Sequence, residues 1–276
     1  MTGEASPFAD HGDDRYFTQA GYRAILTAAR AGGYRLLSFR DFAPAGAAAA
    51  EDDDAGPVLL LRHDLDHDLW SAVTLAGIEA EEAATATYFV QTCCPFYNLL
   101  APAGRAAIRA ITEAGHEIGL HYEAARYAGP GGDAALAADI RLLQDLSGQP
   151  VTAAAQHIPI DGGQVDLSAR IANDAYAPRF TTGRVSYISD SLMHWRQATP
   201  HDLIAAGRAF QLLTHPECWT ADHRSMLDCM GALREARIAE TRHLFAETLD
   251  HYATLLRERA ERDRRFRADR WGESGQ

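Results

Sequence analysis

Short apolar runs and helical patterns alternate along most of this chain. The run at residues 58–61 is apolar without interruption, which is typical of a parallel strand covered on both faces. A helical pattern follows at residues 69–84, and the β-branched and aromatic residues of 85–90 then favour a second strand. Repetition of this unit predicts an α/β architecture with parallel strands, either a barrel or a doubly wound sheet.

The same alternation continues to the end of the sequence. It predicts further strands at 34–39, 117–122, 151–156, 187–188 and 210–214, and helices at 17–31, 102–114, 133–146, 167–173, 201–206 and 222–265. No linker or internal repeat divides the chain, so we expect one domain over residues 1–276. Within this domain we expect the polar residues 1–14 to be disordered and residues 222–265 to form a helical extension.

The composition narrows the classes of function. A net charge of -12 repels phosphate backbones, so we expect neither nucleic acid nor an anionic membrane as a partner. The 26 basic residues are all Arg, which excludes Schiff-base chemistry and the phosphate-binding loop that needs Lys. The N-terminal residues lack a basic segment followed by an apolar run, and none of the four cysteines has C-x-x-C spacing. We therefore expect a cytoplasmic protein, with its oligomeric state left open.

Polar residues of the kinds that bind metals or move protons follow four of the predicted strands. The residues are Asp64 and Asp66 after the first long strand, then His121, His157 and His215 at the ends of later strands. Parallel α/β folds place their sites at the carboxyl ends of strands. We therefore expect these side chains, distant in sequence, to meet at one rim.

The spacing within this group suggests a cation. Asp64 and Asp66 alternate along a strand and so share a face, where two carboxylates repel unless a cation or a proton lies between them. His121 lies nearer the strand end than His116 and is the better candidate ligand, since imidazole suits zinc and related metals. Taken singly, each of these residues has an ordinary structural explanation, and the prediction depends on their common placement.

Three segments resemble one family. Residues 61–66 read Leu-Arg-His-Asp-Leu-Asp, residues 86–90 read Ala-Thr-Tyr-Phe-Val, and residues 115–121 read Gly-His-Glu-Ile-Gly-Leu-His. They are similar to the paired aspartates, the "ATFF" strand and the "GHEIGNH" segment of the polysaccharide deacetylase superfamily (NodB homology, carbohydrate esterase family 4). The resemblance implies a distorted (β/α) barrel of about seven strands, followed here by the long C-terminal helical segment. It also implies one divalent metal, expected to be zinc, and the removal of acetyl groups from N-acetylated sugars.

The resemblance also implies roles for the metal-binding side. Asp64 becomes the catalytic base and Asp66 a metal ligand, although the residue inserted between them leaves that order open; His121 becomes a second ligand. The family's next metal histidine is replaced by Ala125, and His157 stands in the register of an arginine that orients the base. We favour His157 as the third ligand; alternatively it orients Asp64, and Glu123 or water completes the metal site.

Later motifs imply the acid and the substrate pocket. Residues 213–215 read Leu-Thr-His, which makes His215 the general acid, and Asp190 the carboxylate that orients it. We expect the substrate, a small molecule or a glycan, to be bound by the following residues: Arg62, Tyr122, Glu123, Trp195 and Trp219.

The resulting prediction is a metal-dependent deacetylase acting on an amino sugar or a glycoconjugate intermediate. Two alternatives stay open. One is a catalytically inactive relative that binds metal or glycan, suggested by Ala125, although a pure binder has little need of Asp64 and His215. The other is a C–N hydrolase acting on a nucleoside or another natural-product intermediate. A helical HD-type phosphohydrolase, suggested by His63-Asp64, is disfavoured because residues 59–61 favour a strand.

Overall fold

The computed structural model describes residues 17–42, 56–158, 167, 170–222 and 224–272. The segment 1–14, predicted to be disordered, lies outside these residues. The chain divides into two compact units, Met1–Cys229 and Met230–Gln276. The first unit contains the sheet and its covering helices, and the second continues a single long helix.

Strands and helices alternate in the first unit as the sequence pattern predicts. The strands are β1 (Arg35–Leu37), β2 (Val58–Leu65), β3 (Thr87–Gln91), β4 (Glu117–Tyr122), β5 (Ala153–Gln156), β6 (Asn173–Asp174), β7 (Ser186–Ser189) and β8 (Phe210–Thr214). The helices are α1 (Gln19–Ala31), α2 (Phe39–Phe42), α3 (Trp70–Glu81), α4 (Pro102–Glu113), α5 (Ala124–Tyr127), α6 (Gly132–Ser147), α7 (Pro178–Thr181), α8 (Pro200–Ala205) and α9 (Met226–Trp271). Short 3-10 turns follow β7 and β8 at Ser191–Met193 and Pro216–Cys218.

The described strands form a single sheet at the centre of the fold. Its strands follow the order β6-β5-β4-β3-β2-β8-β7, and every pairing is parallel. β1 and β3 lie on the same edge of β2. β1 pairs in parallel with the first half of β2, and β3 pairs with its second half. The side-chain amide of Gln211 on β8 donates to the carbonyls of Ala175 and Phe180, which follow β6, so the sheet curls towards its own far edge. The structure thus confirms a distorted parallel barrel of about seven strands.

Alternation along the strands separates two apolar layers. Leu60 on β2 and Phe89 on β3 point into the barrel, where they meet Phe39 and Phe180. The intervening residues point outward and pack under the helices. Gly119 on β4 leaves the room that Phe89 fills, because a Cβ there would stand 2.6 Å from the Phe89 ring. The barrel interior is therefore a packed core, and the polar side chains collect at the rim above it.

Three elements depart from the predicted pattern. The helix expected at 167–173 lies partly outside the described residues, and the chain instead forms strand β6 from Asn173. The expected strand at 34–39 is shorter, because α2 begins at Phe39. The predicted C-terminal helix is longer than expected and runs through 46 residues from Met226. None of the described helices is both long enough and apolar enough to span a bilayer.

Candidate metal and catalytic site

Five strands deliver the predicted site residues to one end of the sheet. Asp64 lies near the end of β2 and Asp66 just beyond it, while His121 is the penultimate residue of β4. His157 follows β5, Asp190 follows β7 and His215 follows β8. Because all these strands are parallel, their carboxyl ends form one rim, as predicted.

Three of these side chains form a group able to hold a metal ion. One ligand atom each from Asp66, His121 and His157 lie within 4.8 Å of one another. His121 Nε2 is 3.1 Å from Asp66 Oδ1, and His157 Nε2 is 3.6 Å from Asp66 Oδ2. One carboxylate and two imidazoles form a donor set that suits zinc and similar ions.

The His121 ring is oriented for metal binding. Its Nδ1 donates to the carbonyl of Ala155 at 2.8 Å, which leaves the Nε2 lone pair facing Asp66. Nε2 is buried, and it makes no hydrogen bond to any residue that the structure describes. A buried polar atom of this kind normally has a partner. A cation between Nε2 and the Asp66 carboxylate would provide one, so the residues fit the metal that the motifs imply.

Glu123 orients the third side chain of the group. The Nδ1 of His157 donates a short hydrogen bond to Glu123 Oε1, so Nε2 is the atom turned towards Asp66. The Asp66 carboxylate, with Glu123, raises the pKa of His157 to about 9. A ligand histidine must be neutral, so metal binding would release this proton. Of the two sequence-based alternatives, the geometry favours His157 as ligand and Glu123 as its orienting carboxylate.

The two aspartates have different surroundings. Asp64 accepts two hydrogen bonds from one guanidinium, from Arg62 Nε at 2.8 Å and from Arg62 Nη2 at 2.7 Å. Asp66 instead belongs to the group that could hold a metal ion. Burial raises the pKa of Asp64, but the Arg62 charge and the nearby His121 ring outweigh it, and the pKa lies below its usual value. Asp64 is therefore an anion. Both of its oxygens accept hydrogen bonds from Arg62, and its Oδ2 lies 3.6 Å from His121 Nε2.

His215 is held by a buried carboxylate. Its Nδ1 donates to Asp190 Oδ1 at 2.6 Å, and its backbone amide donates to Asp190 Oδ2 at 2.8 Å. The indole of Trp219 also donates to Asp190 Oδ2. Burial lowers the pKa of His215, but the Asp190 charge and hydrogen bond raise it to about 10. The ring is thus protonated at neutral pH, with Nε2 at 3.7 Å from Asp66 Oδ2.

Four of the five residues expected to bind substrate lie in the interior instead. Arg62 is fully buried below Asp64, and Tyr122 points outward under the helices. Trp195 and Trp219 are each 2% exposed, and both pack against Phe17. The polar or aromatic groups of these side chains already contact neighbouring residues, so the side chains position those neighbours. The fifth residue, Glu123, is exposed but turned towards His157.

A cavity beside the rim contains residues that the sequence did not single out. It has a volume of about 340 Å³ and is lined by Tyr176, Tyr187, Ile188, Ser189, Ser191, Arg196, Gln197 and Ala198. Tyr176 accepts a hydrogen bond from Arg62 Nη2 at 3.0 Å, and Ser189 precedes Asp190. The cavity therefore adjoins both the carboxylate-holding arginine and the acid pair. Tyr176 follows a two-residue strand, which carries no periodic signal, so sequence reasoning could not find it.

Backbone outliers also mark this rim. Ile158, directly after His157, has φ 42, and Leu192, two residues after Asp190, has φ 60. Side-chain-bearing residues rarely adopt positive φ, and such strain persists only where the surrounding structure imposes it. Both outliers stand where the chain turns away after delivering a polar side chain to the rim.

A second polar cluster lies beneath the rim, on the outer face of the sheet. The fully buried Glu79 on α3 accepts hydrogen bonds from His63 Nε2 at 2.6 Å, Tyr88 at 2.6 Å and Tyr22. The other nitrogen of His63 is 2.6 Å from Thr214 Oγ1. His63 and Thr214 directly precede Asp64 and His215, so this cluster joins β2 and β8 under the two catalytic candidates. His63 itself is fully buried.

No family model and no curated protein matches the chain. Among solved structures, it is similar to peptidoglycan deacetylase PdaC from Bacillus subtilis, at 12% identity over 70% of this chain and 98% of that one, with a TM-score of 0.37. A family 4 carbohydrate esterase from Bacillus anthracis shares 11% identity over 79% and 86%, with a TM-score of 0.40. The chitin deacetylase from Colletotrichum lindemuthianum shares 13% over 74% and 86%, with a TM-score of 0.41.

The chain is similar to carbohydrate esterase family 4 deacetylases. The sequence motifs at residues 61–66 and 115–121 resemble the same family. At these identities and TM-scores the structural likeness is distant, so the function proposed below rests on the residues of the site.

Proposed function

We propose that this protein is a metal-dependent amide hydrolase, a divergent polysaccharide-deacetylase relative that removes the N-acetyl group of an amino sugar or a glycoconjugate intermediate. One observation carries the proposal. A held carboxylate, Asp64, and a protonated histidine, His215, each stand within 4 Å of the Asp66–His121–His157 group. A base, an acid and a metal-binding group at one rim are the parts that amide hydrolysis needs.

The metal and the side chains have separate tasks. A divalent ion, which we expect to be zinc, supplies Lewis acidity and a more acidic water when Asp66, His121 and His157 hold it. Asp64 accepts the proton of the attacking water, and Arg62 keeps its carboxylate in place. His215 donates its proton from Nε2 to the departing amine, while Asp190 stabilises the charged ring.

The cavity beside Asp190 is the proposed place for the substrate. A volume of about 340 Å³ lies at the lower end of small-molecule sites and suits one sugar ring or a similar group. Tyr176 and Tyr187 offer aromatic faces with hydroxyl groups, and Arg196 offers a cation. This lining favours a polar or anionic small molecule over a long apolar one. The cytoplasmic location expected from the sequence stays a prediction.

Acetate release tests the proposal. Zinc-loaded protein is incubated with free N-acetylated amino sugars, their nucleotide-linked forms and short oligomers. Asp64→Asn and His215→Ala are compared with wild type, and Glu113→Gln, an exposed change on α4, is the matched control. We expect both site variants to lose about 10²- to 10⁴-fold in rate, as for loss of a general base or acid.

Three results would contradict the proposal. Full activity of Asp64→Asn on the hydrolysed substrate would remove Asp64 from the chemistry. One metal ion per chain, with sugar binding but no acetate release in any form, would instead identify a binding protein. Release of ammonia or another amine from a nucleoside would move the same site to the alternative C–N hydrolase.

A further inference from the structure

A further histidine–carboxylate pair at the rim has no task in the proposed chemistry. His67 directly follows Asp66, and its Nδ1 lies 2.7 Å from Glu217 Oε1. Glu217 lies two residues after His215, in the 3-10 turn that follows β8. The pair therefore connects the ends of β2 and β8, beside one candidate metal ligand and the candidate acid.

The burial of Glu217 costs the fold free energy. The residue is only 3% exposed, and its Oε2 is buried without a hydrogen bond to any residue that the structure describes. A buried carboxylate with an unpaired oxygen is unfavourable, so stability does not explain its presence. His157 and His215 show what such a carboxylate does at this rim, because each has its Nδ1 bonded to one and its Nε2 turned towards the site. We interpret Glu217 in the same way, as the group that holds His67.

The other ring nitrogen of His67 is available to a ligand. The side chain is 32% exposed, and among the described residues its one hydrogen-bond partner is Glu217, at Nδ1. The ring of Phe96 lies beside it, with 4.9 Å between the ring centroids, and Phe96 is 51% exposed. A free ring nitrogen and an open aromatic face therefore stand side by side. Binding sites for small molecules combine apolar surface with a few polar groups that fix orientation, and this pair offers both.

We propose that His67 and Phe96 form a substrate subsite for a neutral sugar unit attached to the N-acetylated one. This inference rests on the proposed function. A sugar ring has a face of C–H groups, which the Phe96 ring can cover, and hydroxyl groups along its edge. A hydroxyl both donates and accepts hydrogen bonds, so it suits Nε2 of His67 whether or not that nitrogen carries a proton.

The charges near the pair favour a neutral sugar over a phosphate. The segments that form the subsite are residues 65–70, 92–98 and 215–219, and together they contain three acidic residues and no arginine. Glu217 already balances any charge on His67. A phosphate is usually held by Arg or Lys, and this part of the rim offers neither.

The subsite lies on a different part of the rim from the cavity. Its segments follow β2, β3 and β8, which are neighbours in the sheet, whereas Tyr176 and Tyr187 line the cavity from the segments of β6 and β7, at the two ends of the strand order. A single sugar needs only one of these places. A substrate of two sugar units has a place for each, so we expect the protein to prefer the longer substrate.

Matched substrates test the subsite. Acetate release by the zinc-loaded protein is measured with N-acetylglucosamine, N,N′-diacetylchitobiose and N-acetylglucosamine 1-phosphate. We expect the wild type to have a higher kcat/KM for the disaccharide than for the single sugar. His67→Ala should lower the ratio of these two values roughly fivefold, as for the loss of one hydrogen bond. His243→Ala removes an exposed histidine that is also paired with a glutamate, and it should keep the wild-type ratio.

The ratio separates substrate binding from a structural effect. If His67 only held Asp66 or His215 in place, His67→Ala would lower both kcat/KM values alike and leave their ratio unchanged, which would overturn the proposal. Phe96→Ala changes an exposed side chain and should lower the ratio in the same direction, so it keeps the test available if His67→Ala folds poorly. A preference for the 1-phosphate that is lost in His67→Ala would assign the subsite to an anion instead.

Binding without turnover keeps the subsite apart from the proposed activity. N,N′-diacetylchitobiose is titrated calorimetrically into Asp64→Asn and into the same variant carrying His67→Ala. We expect the second change to raise the dissociation constant roughly fivefold. That rise without acetate release by the wild type would support the subsite and remove the hydrolase. Acetate release with no disaccharide preference, or with no effect of His67→Ala on binding, would support the hydrolase and remove the subsite.

Discussion

The guanidinium of Arg62 holds both oxygens of Asp64, a residue only two positions further along the same strand. Side chains two apart on a strand share a face, so the contact follows from local geometry once both residues are in β2. The resemblance to deacetylases leads one to expect an orienting arginine in a later motif, where this chain has His157. The proposed base, Asp64, and the cation that orients it come from one strand here, which frees His157 to turn towards Asp66.

Replacing Arg62 by a side chain that cannot donate to both Asp64 oxygens should therefore slow the reaction without removing the metal. Arg62→Lys keeps the charge but cannot hold two carboxylate oxygens at once. We expect kcat to fall at least about tenfold, in the range seen when orienting partners at metal sites are lost. Metal content should equal that of wild type. Arg109→Lys, exposed on α4, is the control and should keep its kcat. A normal kcat for Arg62→Lys would show that a single hydrogen bond suffices.

Metal content separates ligands from orienting groups. We expect wild type to hold about one divalent ion per chain, and His121→Ala and His157→Ala to lose it, because each removes one of three ligands. Glu123→Ala should keep the ion but bind it about 10- to 100-fold more weakly, since it only orients His157. His243→Ala, on an exposed part of α9, serves as the control. Retention of metal by His157→Ala, with loss in Glu123→Ala, would exchange the two roles.

A buried carboxyl away from the site makes stability depend on pH. Glu117 accepts hydrogen bonds from Thr87, Thr152 and the Arg40 amide, yet burial prevails and raises its pKa above the usual value. The folded state therefore binds this proton more tightly than the unfolded state. The contribution is complete below about pH 4.5 and is lost as the pH rises through the folded pKa.

The Glu117→Gln variant checks this dependence, because it cannot titrate. In melting temperatures measured from acid to neutral pH, the wild type should lose stability relative to the variant as the pH rises, because only the wild type titrates at residue 117. Glu113→Gln, an exposed change in the preceding helix, should follow wild type throughout. Parallel curves for wild type and Glu117→Gln would show that Glu117 titrates alike in both states.

The cluster under the rim should be costly to break. Glu79 is buried with His63, Tyr22 and Tyr88 as hydrogen-bond donors, so Glu79→Ala leaves several buried polar groups without their acceptor. We expect a loss of about 3 to 5 kcal/mol in the free energy of unfolding, measured by urea titration. Glu81→Ala is a change on the same helix that removes only the exposed ion pair between Glu81 and Arg23 of α1, and it should leave the free energy of unfolding close to that of wild type. Equal losses in the two variants would contradict the role given to the cluster.

Much of this protein could be predicted from its sequence, because two signals are local. Uninterrupted apolar runs such as residues 58–61 mark strands covered on both faces, and they predicted a parallel α/β architecture; the family resemblance then favoured a barrel over a doubly wound sheet. Polar residues directly after those strands had to share a rim, since parallel strands end on one side. That reasoning brought Asp66, His121 and His157 together before any distance was known.

Other features depended on contacts between distant segments. Nothing in the spacing shows that Arg62 is buried against Tyr176, 114 residues away, or that Trp219 donates to Asp190. An aromatic side chain such as Trp195 suits a substrate pocket and a buried core equally well, so its residue type does not decide between them. Its packing in the folded protein places it in the core. Residue type and order along each strand therefore determined which groups reach the rim. The tertiary structure decided which of them face the cavity and which are buried as supports, because burial and partner choice are set by neighbours that periodicity does not report.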